Sequence, residues 1–132
     1  MPAKHSVDDI SQLIITTWEG DAHDVEFIEA IKNYQKDIQN HPKYINYNEV
    51  VDLRKIGSIK LTTGGIKTIG NIASNTDRHD ENRKLALIVN SSIAYGLSRM
   101  YVTYREFAKS ARKEIRIFKN DKEAYEWIGN NS

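Results

Sequence analysis

Residues 84–101 read Lys84-Leu85-Ala86-Leu87-Ile88-Val89-Asn90-Ser91-Ser92-Ile93-Ala94-Tyr95-Gly96-Leu97-Ser98-Arg99-Met100-Tyr101. The unbroken apolar run from Leu85 to Val89 shows no alternation, which marks a strand buried on both faces, as in a parallel sheet. Asn90-Ser91-Ser92 follows at once and supplies side chains that cap a helix start. Ile93, Leu97, Met100 or Tyr101, Tyr104 and Ala108 then recur at helical spacing and predict the inner face of that helix. A buried strand that runs straight into an amphipathic helix belongs to a βαβ arrangement.

The same alternation extends outward in both directions. Downstream, Glu114-Ile115-Arg116-Ile117-Phe118 alternates like a strand with one wet face. Asn120 or Asp121 caps a last helix with Ala124, Trp127 and Ile128 inward, and Gly129 ends it. Upstream, Leu61-Thr62-Thr63-Gly64-Gly65 opens a helix carrying Ile66, Ile69, Ile72 and Ala73. Its glycines make it a poor helix, so either packing holds it or its N-terminus needs bare backbone. Ile45 to Leu53 reads as a strand. Val25, Ile28, Ile31, Tyr34 and Ile38 predict a helix before it, capped by Asp21 or Asp24 and stopped by Asn40-His41-Pro42. His5-Ser6-Val7 and Gln12 to Trp18 read as a hairpin turned at Asp8-Asp9, with Glu19-Gly20-Asp21 ending the second strand. The polar stretch from Ser74 to Asn82 reads as a loop. The order is β-β-α-β-α-β-α-β-α. It predicts one α/β domain over residues 1–132, with a mixed, mostly parallel five-stranded sheet, an antiparallel N-terminal strand and four helices.

Composition narrows the function classes. Hydrophobic residues at 39% and charged residues at 28% describe a globular chain. Nineteen Lys and Arg against 18 Asp and Glu give a net charge of +1, which argues against a nucleic-acid partner. There is no cysteine, so disulfides, thiolate chemistry and Cys-based metal sites are excluded. No apolar stretch approaches the ~20 residues that span a bilayer, and Met1 to Ser6 lacks a leader-like apolar run. These features suit a cytoplasmic protein that is not transmembrane. The four histidines are scattered without metal-ligand spacing, and no P-loop, dinucleotide fingerprint or nucleophile elbow occurs. The expectation is a chain with no cofactor, no metal and no catalytic constellation, hence not an enzyme.

Three groups of residues are candidates for binding. Asp52 and Arg54 stand near the carboxyl end of a strand, where open α/β sheets bind ligands. Arg54 would grip an anion there, or simply pair with an acid. Ser91, Ser92, Tyr95 and Arg99 open the helix after the next strand, where backbone N–H groups favour an anion. Against that, a serine at such a place is an ordinary cap and an arginine an ordinary stem packed on apolar surface. The aromatic helix itself, with Tyr95, Met100, Tyr101, Tyr104 and Phe107, turns one side to the core. If the other side is bare, it would form an interface or lipid site.

Three strings resemble a known group. Val51-Asp52-Leu53-Arg54, the run Ala86-Leu87-Ile88-Val89 followed by Ala94-Tyr95-Gly96-Leu97-Ser98-Arg99-Met100-Tyr101, and Ile117-Phe118 with Glu123-Ala124-Tyr125-Glu126-Trp127-Ile128 are similar to elements of bacterial STAS-like proteins of unassigned function. The element order likewise resembles the STAS domain, the SpoIIAA-like fold of anti-sigma-factor antagonists. That group is also filed with the lipid-binding CRAL-TRIO fold. The resemblance implies a regulatory, protein-binding module whose partner is another protein or a second copy in a homodimer. It equally implies the alternative of a small apolar ligand or lipid. Classical STAS antagonists are phosphorylated at the start of their second helix. The matching stretch makes Thr62 or Thr63 a candidate phosphoacceptor, with the plain alternative that either is an N-cap. Leu61 stands where those proteins carry an acid.

Overall fold

In the computed structural model, which describes residues 3–74, 83–107 and 113–129, the strands lie in the sheet in chain order. They are β1 (Ala3–Asp8), β2 (Leu13–His23), β3 (Asn48–Lys60), β4 (Arg83–Ile88) and β5 (Lys113–Phe118). β1 is antiparallel to β2, and every later pair is parallel. Between them run α1 (Asp24–Asn40), α2 (Thr63–Ser74) and α3 (Ser92–Phe107), and α4 (Asp121–Gly129) follows β5. The predicted five-stranded mixed sheet with an antiparallel first strand and four helices is the architecture observed.

Strand order dictates where the helices go. A right-handed crossover places its helix on a side set by the direction of the step across the sheet. The steps β2 to β3, β3 to β4 and β4 to β5 all go the same way, so α1, α2 and α3 share one face. Trp18, Ala22 and Leu53 from the strands pack there with Ala30 of α1 and Ala94 of α3. Leu85 and Leu87 pack with Val102 of α3 on the same side. α4 lies on the opposite face, where Ala124 and Ile128 meet Leu13, Val50, Ala86 and Ile88. β4 is therefore covered on both sides, which is why its sequence is apolar without alternation.

Several boundaries differ from the sequence reading. β2 does not stop at Trp18. It continues through Gly20, whose φ of 82° is left-handed, and two register shifts carry its pairing with β3 on to His23 and Lys60. A glycine that locally signals a strand end here marks a bulge inside a strand, because β3 supplies the ladder on its far side. β3 in turn begins later than Ile45, since Pro42–Asn46 forms a 3₁₀ turn, and it runs past Leu53 to Lys60. In α1 the buried stripe is Ala30, Tyr34 and Ile38, and Val25 is exposed. In α3 the predicted Leu97 and Tyr101 are half-buried and turned to the sheet side, with Ala94, Ser98, Val102 and Arg105 buried beside them, whereas Ile93 is 68% exposed and Met100 is exposed too. Ala108 and the loop residues 75–82 lie outside the described residues.

The hairpin turn is set by Asp8, whose Oδ1 accepts the backbone N–H groups of Ile10 and Ser11 at 3.0 and 3.2 Å. The start of α1 is His23, with Glu26 accepting its backbone N–H at 2.6 Å, so neither Asp21 nor Asp24 is the cap. Asp24 has another task. Its carboxylate accepts the backbone N–H of Thr62 at 3.0 Å and the Thr62 hydroxyl at 2.7 Å. Thr62 Oγ1 in turn accepts the N–H of Gly65 at 2.9 Å and so caps α2. A Cβ on Gly65 would collide with the Asp24 carboxylate, whereas one on Gly64 would meet only Thr62 Oγ1 at 3.9 Å. The bare backbone at the head of α2 thus admits the side chain that ties α1 to α2.

Two alanine substitutions one residue apart should therefore act in opposite directions. Gly64→Ala should stabilise the protein by about 0.5 kcal/mol through helix propensity. Gly65→Ala should destabilise it by about 1–2 kcal/mol, because it evicts a charged hydrogen-bond acceptor. Urea denaturation of the two variants measures both, and destabilisation of equal size in each would contradict the tie.

Candidate functional site: a cavity under the helix layer

Between the sheet and the α1–α3 layer lies a cavity of about 140 Å³. Its floor is made by side chains of β2, β3 and β4 that face the helices, among them Trp18, Val51, Leu53 and Leu87. α1 contributes Phe27, Ala30 and Ile31, α2 contributes Ile66, Ile69 and Ala73, and α3 contributes Ala94, Leu97 and Tyr101. Trp18 and Phe27 stack at this wall with ring centroids 4.3 Å apart. Protein interiors hold few voids larger than a water molecule.

One end of the cavity is polar. His5 of β1, Thr16 of β2, Glu49 of β3 and Tyr34 of α1 all line it. His5 and Thr16 are opposite each other in the β1–β2 register, and His5 Nδ1 lies 2.7 Å from Thr16 Oγ1. The Tyr34 hydroxyl donates to Glu49 Oε1. Behind Glu49 stands Arg83, at the start of β4, buried like Glu49 itself. Its NH2 group donates to Glu49 Oε1 at 2.7 Å and to the Tyr34 hydroxyl at 2.8 Å, and its Nε donates to the Tyr47 carbonyl at 2.7 Å. Glu49 and Arg83 thus cancel each other's charge within the core. Burial, followed by the Glu49 carboxylate, pushes the Tyr34 phenol well above its ordinary value, so it stays protonated and keeps donating. Burial lowers His5 below its ordinary value, and the Asp37 and Glu49 carboxylates only partly offset this.

Residue types alone did not reveal this corner. Glu49 carries the one available signal: it shares the parity of Tyr47, Val51 and Leu53, so strict alternation points an acid inward. Arg83 precedes the apolar run and reads as a flanking surface charge. His5, Thr16 and Tyr34 meet only through hairpin register and helix docking.

The residues singled out from the sequence lie elsewhere. Arg54 grips Asp52 through both arms of its fork, Nε to Oδ1 at 3.0 Å and NH2 to Oδ2 at 2.7 Å, and Asp121 of α4 stands 3.8 Å from the same NH2 group. The Arg54 hydrogen bond holds the Asp52 carboxyl below its ordinary value. Leu53 faces the cavity, so its neighbours Asp52 and Arg54 point to the α4 face, away from it. Ser91 caps α3, accepting the Ala94 N–H at 3.1 Å on its hydroxyl. Ser92 is the first residue of α3, and Tyr95 and Arg99 are exposed on it. The two groups therefore occupy opposite layers, and Asn90 Nδ2 donates to the Arg54 carbonyl at 3.2 Å where the β3–β4 pairing ends. Thr62 is engaged by Asp24, and Thr63, the first residue of α2, is exposed. Of the aromatic residues on α3, Tyr101 lines the cavity, and its hydroxyl accepts from Arg105 at 2.9 Å.

Removing one partner of a buried pair leaves the other charge uncompensated. Glu49→Leu should accordingly cost about 3–5 kcal/mol in chemical denaturation, and Glu49→Leu with Arg83→Met should recover most of that loss. A double variant no more stable than the single one would show that the pair is not coupled. His5 makes a separate, pH-dependent contribution. Its folded value lies below its ordinary 6.5, so the unfolded chain takes up the proton first. The His5 contribution is complete above that ordinary value and is lost as pH falls from it through the folded value. Asp52 acts in a lower window, below its ordinary 3.8. The urea midpoint should fall between about pH 7 and about pH 5 in the wild type, and His5→Gln should flatten that slope. An unchanged slope would remove His5 as its source.

No family model matches the chain, and no curated protein does so. Among solved structures, an uncharacterised protein of the DUF3478 family from Shewanella loihica PV-4, described as having a SpoIIAA-like fold, aligns with a TM-score of 0.59. The alignment covers 96% of this chain and 91% of that one at 11% sequence identity, so the likeness is one of fold. The chain has the SpoIIAA-like fold that its strings at residues 51–54, 86–101 and 117–128 resemble.

Proposed function

We propose that this protein is a binding module that holds a small apolar ligand in the cavity between the sheet and the α1–α3 layer. The observation that carries the reading is the cavity itself: mostly apolar walls contributed by three strands and three helices, with polar side chains of β1, β2, β3 and α1 gathered at one end and Ser98 on α3. Binding sites for small molecules are concave and mostly apolar, with a few placed polar groups that set orientation. A ligand of matching bulk would exchange its hydration for contact with these apolar walls. The role as an interaction module, which the fold resemblance also implies, would use the exposed side of α3 and leave the cavity without a purpose.

Filling the cavity from within tests the proposal. Val51 lies half-buried near the start of β3 and lines the cavity. Val51→Phe should raise stability by about 0.5–2 kcal/mol, as cavity-filling substitutions do, and should abolish uptake of toluene measured by ligand-observed NMR. The wild type should take up toluene and show a change in Trp18 emission. A wild type that takes up no apolar molecule of one-ring size ends this reading.

A further inference from the structure

We infer that the outer edge of β1 is a self-association surface, on which a second copy of this chain pairs its own β1 antiparallel across a two-fold axis at Ser6. The surface is separate from the cavity, and its test does not depend on what the cavity holds.

Strand order exposes this edge. β1 stands at one end of the sheet and pairs only with β2 among the described residues. The N–H and C=O groups of every second residue therefore point away from β2 and offer a template for a further strand. Natural edges are commonly blunted by proline, a bulge or a very short strand. β1 keeps one register with β2 over all six of its residues, from Ala3 opposite Trp18 to Asp8 opposite Leu13, and holds no proline. Lys4, Ser6, Val7 and Asp8 are exposed.

Charge selects the occupant. Lys4 and Asp8 lie on the same face of β1, four residues and about 14 Å apart, too far to pair with each other. Their neighbours across β2 are Thr17 and Leu13, which carry no charge. Asp8 Oδ1 serves the hairpin turn, and among the described residues neither Asp8 nor Lys4 is in an ion pair. A lone lysine guards an edge by repelling its own copies. Here an acid stands at the mirrored position. Antiparallel pairing about Ser6 places Lys4 of each copy directly opposite Asp8 of the other, which makes two cross-strand ion pairs. The same register sets the exposed Val7 of each copy against His5 of the other. Side-chain alternation allows the axis to pass only through a residue. An axis at His5 would put Lys4 against Ser6, and one at Val7 would put Asp8 against Ser6, so only the axis at Ser6 satisfies both charges. The opposite edge of the sheet lacks this match, because Glu114 and Arg116 of β5 already pair with each other at 3.5 Å.

The chain has no cysteine, so single thiols report the register. Directly opposed antiparallel residues have Cα atoms about 4.5–5.5 Å apart, within disulfide reach. Ser6→Cys should cross-link into a dimer under mild oxidation. Ser11→Cys, exposed in the turn beyond the strand, should lag far behind. Sedimentation equilibrium should show a reversible wild-type dimer. Lys4→Glu sets like charges opposite each other and should weaken that dimer about tenfold or more. Lys4 is exposed, so the variant should keep its fold, which circular dichroism checks. Adding Asp8→Asn removes the repulsion, keeps an acceptor for the turn and should recover most of the loss. A wild type that stays monomeric up to about 1 mM overturns the inference. So does a dimer indifferent to Lys4→Glu, or equal cross-linking of the two cysteine variants.

Discussion

Each of the three parallel crossovers steps in the same direction across the sheet, and the rest of the molecule follows from that constraint. Crossover handedness then leaves no choice of side: α1, α2 and α3 form one continuous layer, and only α4 reaches the other face. A sheet wound in one direction also lacks the reversal of strand order at which open α/β sheets usually bind ligands. β3 runs on past Asp52 and Arg54 to Lys60, and the candidate side chains are occupied by the protein's own contacts. Arg54 is closed on Asp52, Ser91 caps α3, and Thr62 is held by Asp24. The space that remains lies inside the layer, between three helices and the strands beneath them.

That inner space combines two tendencies that pull against each other. Its walls are apolar, which favours collapse onto the sheet. Its far corner holds an ion pair and a phenol taken out of water, which is costly unless every partner is placed. Arg83 satisfies Glu49, Tyr34 and the Tyr47 carbonyl at once, so the strand starts of β3 and β4 and the middle of α1 are pinned by one guanidinium. Pinning by directional bonds holds the helix layer at a set height above the sheet at this end. Asp24 joins the starts of α1 and α2 at the other end. A layer tied at both ends spans the gap between the ties.

Legibility in the sequence followed the range of the interaction. Leu85 to Val89 announced a strand covered on both sides, and that is where it sits. Tyr34 and Ile38, at helical spacing, are buried as expected, and Asn120 caps α4 through its own side chain at 2.9 Å from the Glu123 N–H. These are contacts within a few residues, or burial imposed on a whole segment. Gly20 misled because the same glycine suits a strand end and a bulge, and only the β3 neighbour decides between them. On α3, Ile93 and Met100 misled because they are as apolar as Ala94 and Val102. Periodicity gave the helix but not the limits of its inner face.

By itself the sequence determined the order and kind of elements and the mixed sheet with its antiparallel first strand. Each of those rests on period, composition or capping chemistry that residues carry locally. Tertiary structure alone decided where the usable space lies. His5, Thr16, Tyr34, Glu49 and Arg83 span most of the chain, and they meet only because hairpin register, strand order and crossover handedness bring five separate elements to one corner. No local pattern encodes that meeting, since its cause is the packing of elements rather than the preference of any one of them.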